Sequence, residues 1–233
     1  MKKLTLEHFP PIKGSTKSEK RDADLFAQCS IKIAVQKDGE LTTTSLKILK
    51  ELFHINFSAP TDRQLITIED NGNIGIIWAK NKSICKLVKN EAVDIAILGS
   101  DQLLENTSST DGILQIESFE HIVQWPLVLA VGGNQPRSLH DIKTIATQFP
   151  ITTKKVMDDL GINAEIIRSE GSTEAYVYLS FAGKRVDAIT DISVTGNTLM
   201  KNNLTKWGPA LFNFYPILIS NPKGKIKLMD KRK

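Results

Sequence analysis

The feature that most constrains this chain is a short apolar run, Val186-Asp187-Ala188-Ile189, followed by Asp191-Ile192-Ser193-Val194-Thr195-Gly196-Asn197-Thr198-Leu199. The run reads as a buried strand, the kind an α/β sheet covered by helices supplies. Leu199-Met200-Lys201 then opens a helix. A strand that ends in a carboxylate and a Thr-Gly-x-Thr turn has the parts of a phosphate cradle. Gly196 lets the backbone approach an anion closely. Thr195, Thr198 and the backbone around Asn197 add donors, and free N–H groups at a helix start favour negative charge. Asp191 repels phosphate but accepts hydrogen bonds from sugar hydroxyls beside it. A phosphorylated ribose satisfies both halves. The same residues also fit a plain strand-to-helix turn with Thr as the N-cap, and the segment alone leaves both readings open.

The rest of the chain repeats the strand–loop–helix theme. Residues 1–30 mix charge with Pro10, Pro11 and Gly14 and read as a flexible arm, with a short helix near Ala23 to Gln28. Ile31 to Val35 alternates as a strand, Gln36 to Glu40 is a loop, and Thr43 to Leu52 carries a helical stripe. Asn71-Gly72 predicts a hairpin between Gln64–Glu69 and Ile74–Trp78. A helix over Lys82 to Lys89 precedes the apolar strand Val93 to Gly99, and Asp101 caps a short helix. After a polar stretch at 106–112 come strands at Ile113–Ser118, Leu127–Val131, Ile142–Ala146 and Ala164–Arg168, with a helix over Pro150–Leu160. Gly171-Ser172-Thr173-Glu174 starts a further helix, and a last strand runs from Ala210 to Ser220.

Such alternation predicts parallel βαβ units in open sheets. The polar break near 105–125 divides it into two lobes: 31–120 for lobe I, 121–205 for lobe II, a return segment 206–222, and a basic tail 223–233 expected to be disordered. Ligands in such sheets bind beyond the carboxyl ends of strands, here loops 36–40, 168–174 and 191–198.

Composition narrows the function classes. The net charge of +4 comes largely from Lys-rich ends that lack interleaved aromatics, which argues against nucleic acid binding. The 2 cysteines, Cys29 and Cys85, form no CxxC pair, and the 4 histidines have no metal-type spacing, so no metal site is expected. No apolar run reaches the roughly 20 residues of a membrane span. The start has no secretory pattern, and a cytoplasmic protein with reduced thiols is expected. Trp78, Trp207 and Cys85 read as packing residues, and Asp94 as a tether for a neighbouring loop.

Taken in order, Ile31-Lys32-Ile33-Ala34-Val35-Gln36-Lys37-Asp38-Gly39, Asp94-Ile95-Ala96-Ile97-Leu98-Gly99, Ile145-Ala146-Thr147, Gly171-Ser172-Thr173-Glu174 and Val186 through Leu199 resemble the ATP phosphoribosyltransferase family. The resemblance implies a two-lobed, periplasmic-binding-protein-like (type II) α/β fold with its ligand cleft between the lobes. It implies transfer of the phosphoribosyl group of phosphoribosyl pyrophosphate (PRPP) to N1 of ATP with Mg²⁺, releasing pyrophosphate in the first step of histidine biosynthesis. Carried over, Thr195, Gly196, Asn197 and Thr198 hold the 5-phosphate and Asp191 faces the ribose hydroxyls. Gly171, Ser172 and Glu174 contact the same sugar, while Lys37 and Lys80 serve the pyrophosphate and ATP side. The short form of the family, to which a chain of this extent is similar, implies an oligomer with a regulatory subunit related to histidyl-tRNA synthetase.

The chain departs from the family pattern where that pattern usually carries cations. Glu40 stands for an Arg and is expected to repel phosphate, so that an Arg there is expected to raise affinity for pyrophosphate-bearing ligands. Lys80-Asn81-Lys82-Ser83-Ile84-Cys85 replaces an Arg-x-x-Asp-Ile-Pro stretch, Trp125-Pro126 a Cys-Arg pair, and Thr144 an Arg. Lys80, Lys82, Lys154 and Lys155 are the candidates for compensation. These departures also leave open a non-catalytic or regulatory homologue that binds a phosphoribosyl compound, or a transferase with another acceptor.

Overall fold

The computed structural model describes residues 17–61, 63–106, 112–133, 136, 138–181 and 183–231. Its first sheet has the order β2 (Ile66–Ile68), β3 (Ile74–Ala79), β1 (Ile31–Gln36), β4 (Ile95–Gly99), β14 (Pro216–Ser220), β5 (Leu114–Ser118). Strands β3, β1 and β4 are mutually parallel, while β2, β14 and β5 run antiparallel to their neighbours. Every residue of β4 and β14 is buried, as a central position covered on both faces requires. Helices α2 (Glu40–Phe53) and α3 (Asn81–Lys89) follow β1 and β3, and their buried stripes, Ile48 and Leu49 on one and Ile84 and Val88 on the other, build two separate cores.

The second sheet has the order β12 (Thr205–Lys206), β6 (Trp125–Val131), β11 (Ala188–Ile192), β7 (Thr144–Thr147), β8 (Glu165–Arg168), with β13 (Phe212–Phe214) also paired to β6. Strands β11, β7 and β8 are parallel, and α5 (Pro150–Asp159) connects the last two. Two passages join the sheets, one through residues 119–124 and one at Tyr215. The second passage corrects the expected return at 206. The single strand read over Ala210–Ser220 is in fact β13 and β14 in different sheets. Ser100 pins the switch: its N–H donates to the Tyr215 carbonyl at 2.8 Å and its hydroxyl accepts from the Tyr215 N–H at 3.1 Å.

Both chain ends differ from expectation. Of the arm read over 1–30, residues 1–16 lie outside the described residues, but α1 (Lys17–Gln28) is a helix on β2 and β3. Phe26 comes so close to Gly75 that a Cβ there would meet its ring at 2.6 Å. Of the basic tail read over 223–233 and expected to be disordered, residues 232–233 lie outside the described residues and the rest belongs to the helix α7 (Pro222–Lys231). Buried Asn221 donates to the carbonyls of Val88 (3.3 Å) and Val93 (2.8 Å), while its own carbonyl accepts from Gly224 N–H at 2.8 Å. Asp94 accepts from the Lys32 N–H and the Lys227 ammonium, both at 2.8 Å, so it tethers β1 and α7 as well as its own strand. The bonds from Asn221 to Val88 and Val93 and from Lys227 to Asp94 span more than a hundred residues, beyond any local pattern of composition.

Candidate functional site

The carboxyl ends of the parallel strands face each other across the lobe junction. Lobe I presents residues 36–40 after β1, 80–82 after β3 and 99–102 after β4; lobe II presents 148–150 after β7, 169–174 after β8 and 193–198 after β11. Side chains reach across. Lys82 pairs with Glu170 at 3.3 Å. The Glu105 carboxylate, on α4 (Ser100–Glu105), accepts from the N–H groups of Ile151 (2.9 Å) and Thr152 (2.8 Å) in the first turn of α5. The Thr152 hydroxyl adds a third bond at 2.6 Å. A carboxylate at a helix N-terminus satisfies donors that the helix itself cannot.

Asp191 lies within β11, one residue before its end, and is half-buried. Burial pushes its carboxyl from the ordinary 3.8 up to about 6, and the nearby Glu174 charge pushes the same way against the Ile192 N–H, which donates to it at 2.9 Å. Glu174 arrives there by a special backbone path. Gly171 has φ 152° and Ser172 φ 47°, a left-handed conformation, so the chain turns abruptly after β8. The expected helix over 171–181 is therefore only a 3-10 turn, Thr173–Tyr178. Buried Thr173 locks that turn through a 2.7 Å bond to Ser169 and a 3.4 Å bond from Gln148. Beneath Asp191, the buried hydroxyls of Thr190, Thr147 and Thr153 form a closed set at 2.7, 2.7 and 3.3 Å. Buried hydroxyls satisfied in this way hold the strand ends in fixed register.

The turn after β11 is open. Thr195, Asn197 and Thr198 are exposed, Gly196 has φ 76°, and the short helix α6 (Asn197–Lys201) follows. A depression of about 510 Å³ runs along Ser193, Thr195, Gly196 and Met200 to Lys206 on β12. Lys206 thus offers the turn a cation that the sequence reading left unassigned, because only the β12–β6 pairing carries it there.

On lobe I, Lys37 is half-buried and its N–H is held by the Ala79 carbonyl at 3.0 Å, while Lys80 is exposed at the start of α3. Among the described residues neither forms an ion pair. Of the compensating lysines, Lys82 reaches the cleft, whereas Lys154 pairs with Asp158 along α5. A polar depression of about 480 Å³ between the lobes is bordered by Lys82, Lys86, Gln102, Gln148 and Arg168 and also by Asp101, Glu105 and Glu170, the last pairing with both Lys82 and Arg168. The Glu40 carboxylate, on an exposed residue, keeps its charge and accepts the Trp125 indole N–H at 3.0 Å. The structure thus gathers Asp191, Glu174, Gly171 and Ser172 into one corner, sets the turn Thr195–Thr198 directly after it in the chain, and leaves Lys37 and Lys80 on the facing lobe.

The sequence profile of the HisG family, ATP phosphoribosyltransferase, matches residues 80–232. The ATP phosphoribosyltransferase of Listeria monocytogenes is 34% identical over 177 residues, 75% of this chain and 78% of that protein. That of Methanosarcina mazei is 29% identical over 206 residues, 86% of this chain and 68% of its own length. Among solved structures, a chain of the ATP phosphoribosyl transferase (HisG:HisZ) complex from Thermotoga maritima superposes with a TM-score of 0.58 at 24% identity, covering 87% of this chain and 98% of that one. A probable amino-acid ABC transporter extracellular-binding protein from Bacillus subtilis gives 0.54 at 16% identity, covering 87% and 89%. The architecture is therefore the two-lobed α/β fold of type II periplasmic binding proteins. With the profile spanning most of the chain, this protein belongs to the ATP phosphoribosyltransferase family, the transferases of the first step of histidine biosynthesis.

Proposed function

We propose that the Asp191–Glu174 corner and the Thr195–Thr198 turn bind PRPP, whose phosphoribosyl group is passed to N1 of ATP with release of pyrophosphate. The observation that supports this best is a carboxylate pair set beside a Thr-Gly-x-Thr turn at the strand ends of lobe II, in a chain of this family. The 5-phosphate takes the hydroxyls of Thr195 and Thr198 and the backbone around Gly196 and Asn197. Asp191 and Glu174 accept from the ribose hydroxyls, held there by the turn at Gly171 and Ser172. Lys37 and Lys80 face the pyrophosphate from lobe I, and ATP lies in the depression between Lys82, Gln102, Gln148 and Arg168.

The bond from C1 of the ribose to pyrophosphate breaks as the N1 lone pair of adenine forms the new one, so the protein's contribution is alignment and charge sharing. No general base is required. Among the described residues no group of three or more His, Cys, Asp or Glu side chains is arranged to hold a metal. Mg²⁺ nonetheless fits Asp191 and Glu174, because it commonly binds through one or two carboxylates together with substrate phosphates. When bound, it shares the charge of the departing pyrophosphate. Mutual repulsion between the two carboxylates favours such a cation. A regulatory subunit related to histidyl-tRNA synthetase, an oligomeric assembly and a cytoplasmic location accompany this reading; its support is the likeness in fold to a chain from the HisG:HisZ complex. No described helix is long and apolar enough to cross a membrane.

Calorimetric titration with PRPP and Mg²⁺, followed by ATP, tests the proposal. Saturable PRPP heat and then formation of the N1-phosphoribosyl product are expected. Absence of PRPP binding overturns the site assignment, and binding without product points to a missing subunit or another acceptor.

A further inference from the structure

The bond between Glu40 and Trp125 joins residues 85 positions apart in the chain and on different lobes. Glu40 opens α2 and Trp125 opens β6, where the chain has just crossed between sheets. Around the bond lies a hydrophobic cluster distinct from the cores of the two lobes. It consists of Leu41, Trp125, Leu127 and Phe214, with Val123, Phe149, Ile192 and Phe212 packed against it. Three of its members directly follow residues of the cleft: Leu41 follows Glu40, Phe149 follows Gln148, and Ile192 follows Asp191. Rotation of one lobe on the other must slide this cluster, and a Glu40–Trp125 bond resists that slide. Trp125 is 8% exposed and Glu40 is exposed, so the bond caps the edge of this cluster.

The loop held by Glu40 is stiff in itself. Gly39 has φ 97°, the Thr42 hydroxyl donates to the Gln36 carbonyl at 2.9 Å, and the Gln36 amide donates to the Asp38 carbonyl. Lys37 N–H is fastened to Ala79. Glu40 and Lys37 thus belong to one bonded loop whose base is fastened to β3 of lobe I.

We propose that Glu40 is a positioning residue: through Trp125 it braces the 36–40 loop to lobe II, so that Lys37 faces the phosphoribosyl site at a fixed distance. This rests on the PRPP reading above for its effect on affinity, though not for the brace itself. It reverses the expectation that Glu40 merely repels phosphate.

The test titrates PRPP with Mg²⁺ against the wild type, Glu40→Ala, Glu40→Gln, Glu40→Arg, Trp125→Phe and the Glu40→Ala/Trp125→Phe pair. Loss of one hydrogen bond to a charged group predicts roughly tenfold weaker binding for Glu40→Ala and for Trp125→Phe. The double variant is expected to be no weaker than either single one, because both remove the same bond. Glu40→Gln keeps a carbonyl acceptor and is expected to retain affinity within about threefold. Glu40→Arg is expected to weaken binding. Tighter binding by Glu40→Ala or Glu40→Arg, or additive losses in the double variant, overturns the brace. Hydrogen exchange at the amides of residues 37–42 gives a second readout that needs no ligand. Faster exchange there in Trp125→Phe, restricted to the lobe opposite the substitution, is expected, and unchanged exchange overturns the proposal. If the wild type fails to bind PRPP, the functional reading falls and the brace is decided by exchange alone.

Discussion

The two faces of the cleft hold their charges differently. On lobe II, Asp191 is half-buried beside another carboxylate and lifted to about 6, while the threonines of the following turn are exposed. On lobe I and the junction, several charges have protein partners: Glu40 takes Trp125, Glu105 takes the first turn of α5, and Lys82 takes Glu170. There, internal bonds set where the loops stand. If PRPP binds as proposed, its sugar phosphate meets lobe II first, and lobe I contributes through loops held by those bonds.

The contrast can be broken at its strongest point by removing both hydroxyls of the turn. Thr195→Ala with Thr198→Ala deletes two donors to a charged phosphate and is expected to weaken PRPP binding on the order of a hundredfold in calorimetry. Unchanged affinity would move the phosphate elsewhere.

Asp191→Asn sharpens the same contrast through stability. A carboxyl whose folded pKa is raised favours the protonated form, so its stabilising balance is complete below the ordinary 3.8 and is lost as pH rises through about 6. At neutral pH the ionised Asp191 therefore opposes folding, and Asp191→Asn should stabilise the protein there by on the order of 1–3 kcal/mol. In thermal melts the gain should shrink towards pH 4 while PRPP affinity falls at neutral pH. A gain independent of pH would show that the carboxylate is not the source.

The smallest effect is expected at the clasp. Glu105→Ala leaves the first-turn N–H groups of α5 to water and should lower stability by about 1 kcal/mol, as loss of a helix cap does. Exchange at the Ile151 and Thr152 amides should quicken, with PRPP affinity moving less than in the turn variants. Slow exchange at those amides in the variant would mean that Glu105 does not hold them in solution.

Much of the site was legible because it is local. The turn at Thr195–Thr198 and the Gly171-Ser172 bend are written in contiguous residues, and their glycines and hydroxyls sit where the backbone needs them. The pairing of Glu174 with Asp191 followed only from the resemblance, since the two approach through the parallel register of β11, β7 and β8. Glu40 shows the limit. Its position in a phosphate-side loop predicted repulsion, but no sequence window contains both it and Trp125. Likewise α7 reads as a basic tail until Asn221 and Asp94 are brought beneath it.

The alternation of strands and helices, the division into two lobes and the open Thr-Gly-x-Thr turn after β11 are set by the sequence alone, since apolar period, glycine and hydroxyl spacing act over a few residues. Tertiary structure alone decided that Ala210–Ser220 splits between two sheets, that residues 17–28 and 222–231 form docked helices, that Asp191 is lifted towards neutrality, and that Glu40 bonds across the junction. Those outcomes depend on which distant groups share a desolvated space, and burial, charge coupling and buried hydrogen bonds act through that space rather than along the chain.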